Sequence, residues 1–408
     1  MAEVDAARAV ANLKELRSLT GDELGAQRVA WTDTWVTARD WFREQLDGIE
    51  GVSVERDAAG NVWATLPGDA PEFVLVGGHI DSVPNGGWLD GALNVVGGLE
   101  VLRALADEPR PRTLKLVDWA DEEGARFGRS LMGSSACAGT LDVESVRGLK
   151  DRDGVALPDA LAAHGVELDR MHESGAILDG AVAYLELHIE QGPVLERLDL
   201  PLGVVLGTFG VERHAVRFTG AHAHAGSTPM DVRRDAFLAA ARSALAWRDD
   251  AAGRDDVRAT TGTVSVVPGI VTAFNGTCEV SLDQRALDAD VLADMLATAR
   301  TDAARLASEE GCEVAWERIW EIEPIPFDET LIGIADEVIA AETGTSHRLP
   351  SGPLHDAAEM ARRIPTVMVF VKSLGGVSHT NAEDTPEADL ESSVRALGEL
   401  TRRVLSRT

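Results

Sequence analysis

Four strand-like runs in this chain each give way to histidines or carboxylates. Residues 73–76 lead into Gly77-Gly78-His79-Ile80-Asp81-Ser82-Val83-Pro84-Asn85-Gly86-Gly87-Trp88-Leu89-Asp90-Gly91. Residues 114–117 lead into Asp118-Trp119-Ala120-Asp121-Glu122-Glu123-Gly124. Residues 184–189 carry Glu186 and His188 and run on into Glu190-Gln191-Gly192-Pro193. Residues 366–371 precede Gly375-Gly376-Val377-Ser378-His379-Thr380-Asn381-Ala382-Glu383. Short apolar runs bounded by turn residues read as buried strands, and side chains delivered at their ends can be held rigidly.

His-x-Asp alone is a weak signal, and residues 118–124 alone could be an acidic surface turn. Adjacent carboxylates at a strand end are costly unless a cation lies between them or one takes up a proton. Alternation along 184–190 sends Glu186, His188 and Glu190 to one face of an otherwise buried strand. Histidine among acids there needs a partner, and a metal supplies one. The four segments together offer the ligand set for divalent ions, zinc ahead of manganese, nickel or cobalt. Two such ions about 3.5–4 Å apart, bridged by an aspartate, would polarise a carbonyl and activate water.

Strands alternate with helices around these segments. A helical region spans 7–50, strands 62–66, 73–76, 114–119 and 184–189, and a helix 92–106; the polar segment 141–180 is expected at the periphery. From 210 the order becomes strand 215–218, helix 235–247, strands 261–267 and 277–282, helix 289–309 and strand 313–319, that of a split-βαβ unit. A helix at 329–342 and the strand 366–371 return to the first pattern. The expected fold is α/β, with a mixed central sheet flanked by helices in 1–211 and 327–408. A smaller α+β, ferredoxin-like domain is inserted at 212–326.

Charge narrows the partners. With 68 Asp and Glu against 38 Lys and Arg, the formal charge is -30, which disfavours nucleic acid and anionic membranes. Cys137, Cys278 and Cys312 have no disulfide or thiolate-zinc spacing. No run reaches the length of a membrane span, and the first residues lack a signal-peptide pattern. A cytoplasmic location is expected.

Beyond these readings, the chain resembles the metal-dependent amidohydrolases that include N-carbamoyl-L-amino acid hydrolases, allantoate amidohydrolases and β-ureidopropionases. These are relatives of dinuclear-zinc aminoacylases and exopeptidases. The resemblance runs from about residue 7 to 405. It rests on Gly-Gly-His-Ile-Asp-Ser-Val-Pro-Asn-Gly-Gly, Asp-Glu-Glu-Gly-Ala-Arg-Phe, His-Ile-Glu-Gln-Gly-Pro, His-Ala-Gly-Ser-Thr-Pro-Met and Ser-Gly-Pro-Leu-His-Asp-Ala. It implies metal ligation by His79, Glu123, His188 and His379 with Asp90 bridging, Asp81 orienting His79, and Glu122 as general base. In the inserted domain it implies that His224 stabilises an oxyanion in a neighbouring subunit's site, which makes the protein a homodimer and the insertion a lid and dimerisation domain. Arg285 would grip a substrate carboxylate, Gln191 a ureido group, and Thr272, Ser351, Gly352 and His355 would meet substrate.

Two departures bear on substrate choice. Thr272 stands where the family commonly has asparagine, and Pro353 and Leu354 replace small residues; Trp88 is a further candidate to line the site. His164, His172, His214, His222 and His347 are left without a role, and Trp316 with Trp320 are expected in the core. The implied reaction is hydrolysis of an N-carbamoyl amino acid or related ureido acid to amino acid, ammonia and carbon dioxide. An aminoacylase or dipeptidase with the same centre is the nearer alternative, and a non-catalytic metal-dependent binding protein the remoter one.

Overall fold

The structure, a computed structural model, describes residues 3–407. The chain packs as two compact units, Met1–Leu206 with Phe327–Thr408, and Gly207–Pro326.

In the first unit the strands lie in the order Ser53–Arg56, Val62–Leu66, Arg112–Trp119, Ala70–His79, Ala181–Ile189, Thr366–Val371, Leu202–Thr208. The four strands from Arg112–Trp119 to Thr366–Val371 are mutually parallel, while their outer neighbours run antiparallel. Those four are the runs that lead to the histidines and acids. Parallel neighbours end on the same edge of a sheet, where open α/β folds gather their ligands. They read as nearly continuous apolar runs because both faces are covered. Helices Ala6–Thr20, Ala92–Leu105 and Glu387–Leu405 supply Leu13, Leu16, Val96, Leu99, Leu397 and Leu400 to that buried core.

The helical region expected at 7–50 is two helices, Ala6–Thr20 and Asp33–Asp47, separated by the strand pair Gly21–Asp22 and Gly25–Ala26. Gly25 makes that break possible, because at φ 135 a Cβ would lie 2.6 Å from the carbonyl oxygen of Gly86. The polar segment 141–180 carries short helices and is mostly exposed or half-buried, as expected for a peripheral segment, yet it also anchors itself. Val146, Leu157, Leu161 and Met171 join Trp31 and Trp35 in a separate buried cluster. Each short helix there buries one to three apolar residues, too few for a long periodic run to mark them.

Arg39 on Asp33–Asp47 reaches into the sheet and pairs with Asp118, Nε to Oδ2 2.6 Å, with both side chains almost wholly buried. Asp118 in turn accepts the N–H of Ile80 at 2.8 Å, next to His79. Burial lifts the Asp118 carboxyl to about 6, against the pull of Arg39. Removing one partner of a buried pair costs about 3–5 kcal/mol, whereas replacing both by apolar groups can be neutral. Arg39→Met is therefore expected to lose stability of that order in a denaturant titration, and Arg39→Met with Asp118→Leu to recover part of it.

The second unit contains Gly210–Thr219, the helix Ala236–Ala252, Arg258–Thr260 and Val264–Val267, Thr277–Ala286, the helix Ala289–Glu309 and Glu313–Ile322. Its sheet is antiparallel, ordered Arg258–Thr260, Thr277–Ala286, Gly210–Thr219, Glu313–Ile322. Val216, Phe218, Trp247, Cys278 and Val280 form its core, with Trp316 packed against it. Trp320 does not join them and is 40% exposed. A register shift between Arg318 and Trp320 is the reason, since one extra residue turns the following side chains to the other face. No helix among the described residues is long and apolar enough to cross a membrane.

Candidate active site

His79 is the last residue of its strand, and the backbone just beyond it is shaped around the imidazole. Gly91 adopts φ +62, and a Cβ there would sit 2.4 Å from the ring of His79. Only glycine lets the loop carrying Asp90 pass so close. Nδ1 of His79 lies 3.0 Å from the carbonyl oxygen of Asp81, and Nδ1 of His188 lies 2.9 Å from that of Ile189. A backbone acceptor at Nδ1 places the proton there and leaves Nε2 with its lone pair.

Both Nε2 atoms turn toward one oxygen. Oδ1 of Asp90 is 3.6 Å from His79 Nε2 and 3.1 Å from His188 Nε2. The other oxygen, Oδ2, is 3.4 Å from Nε2 of His379, which is 3.5 Å from Glu123 Oε2. Two groups of three donors, His79–Asp90–His188 and Asp90–Glu123–His379, share Asp90, and a third, Glu186–His188–His355, adjoins the first through His188. Donors bound at about 2.0–2.2 Å to one tetrahedral ion stand about 3.3–3.6 Å apart. Three of the four observed spacings fall in that range, and the 3.1 Å between Asp90 and His188 lies just below it. The buried Nε2 atoms of His79 and His188 complete no hydrogen bond among the described residues, as ligand nitrogens awaiting an ion would not. The donor set fits two divalent ions of borderline hardness.

Asp81 organises the acidic side of the site. Its carboxylate accepts the N–H groups of Glu122 and Glu123 at 3.2 and 3.1 Å, and approaches His79 Nδ1 at 3.6 Å. Glu122 stays outside both donor groups, with Oε2 3.7 Å from His79 Nε2. Burial pushes the Glu122 carboxyl well above the usual range and that of Glu123 to about 7. Burial also opposes charge on Asp90, but the facing imidazoles more than offset it and hold that carboxyl well below the ordinary value. His379, hydrogen-bonded to Asp90, is raised to about 9.

Of the other expected residues, Gln191 and His355 touch the donor groups. Gln191 Nε2 donates to Asp90 Oδ2 at 2.8 Å. His355 is buried with its ring 4.2 Å, centroid to centroid, from that of His188. Ser351, at the end of Arg348–Ser351, donates its hydroxyl to the carbonyl of Pro353 at 2.8 Å, with Gly352 between them. Trp88 is buried in the main core beneath Arg17, whose guanidinium lies 5.4 Å from its ring.

His224, Thr272 and Arg285 belong to the second unit. Nδ1 of His224 accepts from the N–H groups of Gly226 and Ser227 at 3.1 and 3.2 Å, which leaves the proton on Nε2 as a free donor. The carbonyl of Thr272 accepts from Ala225 N at 2.7 Å. Arg285 Nε donates to Asp283 at 2.8 Å.

Several acids of the four clusters turn out to hold the scaffold. Asp118 is tied to Arg39 and Asp121 accepts Trp31 Nε1 at 2.8 Å, while Glu186, a donor in the group with His188 and His355, also accepts the Tyr184 hydroxyl at 2.8 Å. Glu190 accepts the N–H groups of Val194 and Leu195 at 2.7 and 2.8 Å, at the start of the helix Val194–Leu198. Sequence reasoning also passed over Arg28 and Asp356, both wholly buried. Asp356, the aspartate of Ser-Gly-Pro-Leu-His-Asp-Ala, feels the charges of Glu186 and His79.

Residues 75–403 match the peptidase family M20/M25/M40. An N-carbamoyl-L-amino acid amidohydrolase of Geobacillus stearothermophilus is 36% identical over 369 residues, covering 90% of each chain. An allantoate amidohydrolase of Bacillus subtilis is 34% identical over 396 residues, covering 92% of each. Among solved structures, an amidase of the hydantoinase/carbamoylase family from Burkholderia multivorans superposes with a TM-score of 0.88 at 33% identity, over 99% of both chains. The chain belongs to the peptidase family M20/M25/M40, as a hydrolase of carbon–nitrogen bonds in linear amides.

Proposed function

We propose that the protein hydrolyses N-carbamoyl-L-amino acids or related ureido acids, releasing the amino acid, ammonia and carbon dioxide. One observation carries the reading: two three-donor groups share Asp90, and a buried glutamate, Glu122, is left over beside them. The names of the relatives at 36% and 34% identity support the ureido class. Two divalent ions held by His79, Asp90, His188, Glu123 and His379, zinc first, would supply Lewis acidity toward the scissile carbonyl and toward water.

The chain's own groups do the rest. Glu122 takes a proton from the attacking water and returns it to the leaving nitrogen. Asp81 keeps His79 and the Glu122–Glu123 backbone in register. His224 offers Nε2–H to the developing oxyanion, in the site of a partner copy. Arg285 meets the substrate carboxylate as a fork, and Gln191, Thr272, Ser351, Gly352 and His355 surround the remainder.

In this reading the second unit is a split-βαβ lid and dimerisation domain. Its helix Ala236–Ala252 and the strand Val264–Val267 expose Phe237, Leu245 and Val264, around an apolar groove of about 520 Å³. Such a patch fits a second copy better than solvent.

The test is ammonia release by the metal-reconstituted protein from N-carbamoyl-L-amino acids, allantoate and β-ureidopropionate. N-acetyl amino acids are assayed for free amine alongside, and the mass in solution is measured. Ammonia from a ureido substrate and a dimeric mass are expected. Free amine from acetylated substrates alone would instead make it an aminoacylase, with Thr272 and Pro353 the first residues to blame.

A further inference from the structure

Glu383 belongs to neither donor group, yet it is buried against the loop that carries Asp90. Its Oε1 accepts the N–H groups of Leu89 and Asp90 at 3.0 and 3.1 Å. Its Oε2 accepts the hydroxyl of Ser378 at 2.8 Å. Gly87 makes room for this approach, because a Cβ there would lie 1.9 Å from the Glu383 carboxylate. Any larger residue at 87 must drive the carboxylate away.

The contacts continue to Asp90 itself. Ser378 Oγ lies 3.1 Å from Asp90 Oδ2, and Gln191 Nε2 bonds both, at 2.8 Å to Oδ2 and 3.1 Å to Oγ. Oδ2 is thus held from one side, while Oδ1 faces the two histidines. Arg28 lies beneath, wholly buried. It donates Nε–H to the carbonyl of Ile80 at 2.7 Å and places positive charge near Glu383, Asp81, Asp90 and Glu123. A carboxylate that accepts two backbone N–H groups and a hydroxyl fixes a loop more firmly than packing alone.

We propose that Glu383, seated on Gly87, is a positioning residue that clamps the loop of residues 87–90 to the His379 segment, so that Asp90 turns one oxygen to each donor group. The inference rests on the two-metal reading above. Partners that orient a ligand typically govern metal affinity about 10–100-fold.

The test needs no substrate. Cobalt(II) is titrated into metal-free protein against a competing chelator, following its visible spectrum, with folding monitored by circular dichroism. Wild type is expected to take two equivalents. Glu383→Ala should weaken the second about 10–100-fold, and Gly87→Ala should do the same although the carboxylate remains. Glu383→Gln keeps an acceptor for Leu89 and Asp90 and should return to within a few-fold of wild type. Wild-type affinity for both equivalents in Glu383→Ala and Gly87→Ala overturns the clamp. So does a Glu383→Gln as weak as alanine, which would make the negative charge the cause. Wild type that takes up no cobalt overturns the two-metal reading, and the clamp with it.

Discussion

Replacing Glu122 with glutamine is expected to lower kcat by about 10²–10⁴-fold, the usual worth of a positioned proton carrier, while leaving two equivalents of metal in place. The argument starts from the donor geometry. Glu123 stands with Asp90 and His379 in one three-donor group, whereas Glu122 belongs to neither. Glutamine keeps the shape of the side chain and removes only the capacity to take a proton. KM should change little, because the loss falls on the transition state. Glu123→Gln provides the contrast and should lose metal as well as activity.

The pH profile gives a second readout of the same residue. Burial raises the Glu122 carboxyl, and a base acts only when deprotonated, so activity should fall as pH drops through that raised value. The acid limb of kcat should therefore lie above the ordinary glutamate value of about 4.3, and residual turnover in the variant should lack it. Wild-type kcat in Glu122→Gln with both metals bound would remove Glu122 from the role of base.

The strand ends that build the site were readable because parallel central strands are covered on both faces and lose the alternation of exposed ones. Residues 62–66 and 366–371 coincide with their strands, and the helix Ala289–Glu309 begins and ends where its pattern does. The assignment of acids to ligation or scaffold was not readable. Asp118, Asp121 and Glu190 carry the same chemistry as Glu122 and Glu123. What separates them is a partner the local sequence does not announce: Arg39, Trp31, or a pair of helix N–H groups. Glu383 and Gly87 are likewise paired only by the fold. Trp320 left the core through a bulge, which leaves no mark in the pattern of side chains.

Asp90 is the one residue common to both donor groups, so its removal should do more than the loss of any histidine. Asp90→Ala is expected to bind neither ion tightly, whereas His379→Ala should retain the His79–Asp90–His188 group and about one equivalent of metal. A metal's electrostatic contribution is several kcal/mol, and each 1.4 kcal/mol is about tenfold in rate. Asp90→Ala should therefore lose about 10³-fold or more in kcat/KM. The metal-free protein supplies an independent check through stability. Asp90 raises His379 to about 9 in the folded state, against about 6.5 when unfolded. A raised folded value stabilises fully below the unfolded one and ceases to do so as pH climbs past the folded one. The stability difference between metal-free wild type and Asp90→Ala should then be largest near pH 6 and shrink toward pH 9. A variant that still takes up two ions, or a difference independent of pH, would mean that Asp90 does not sit between the imidazoles as the geometry places it.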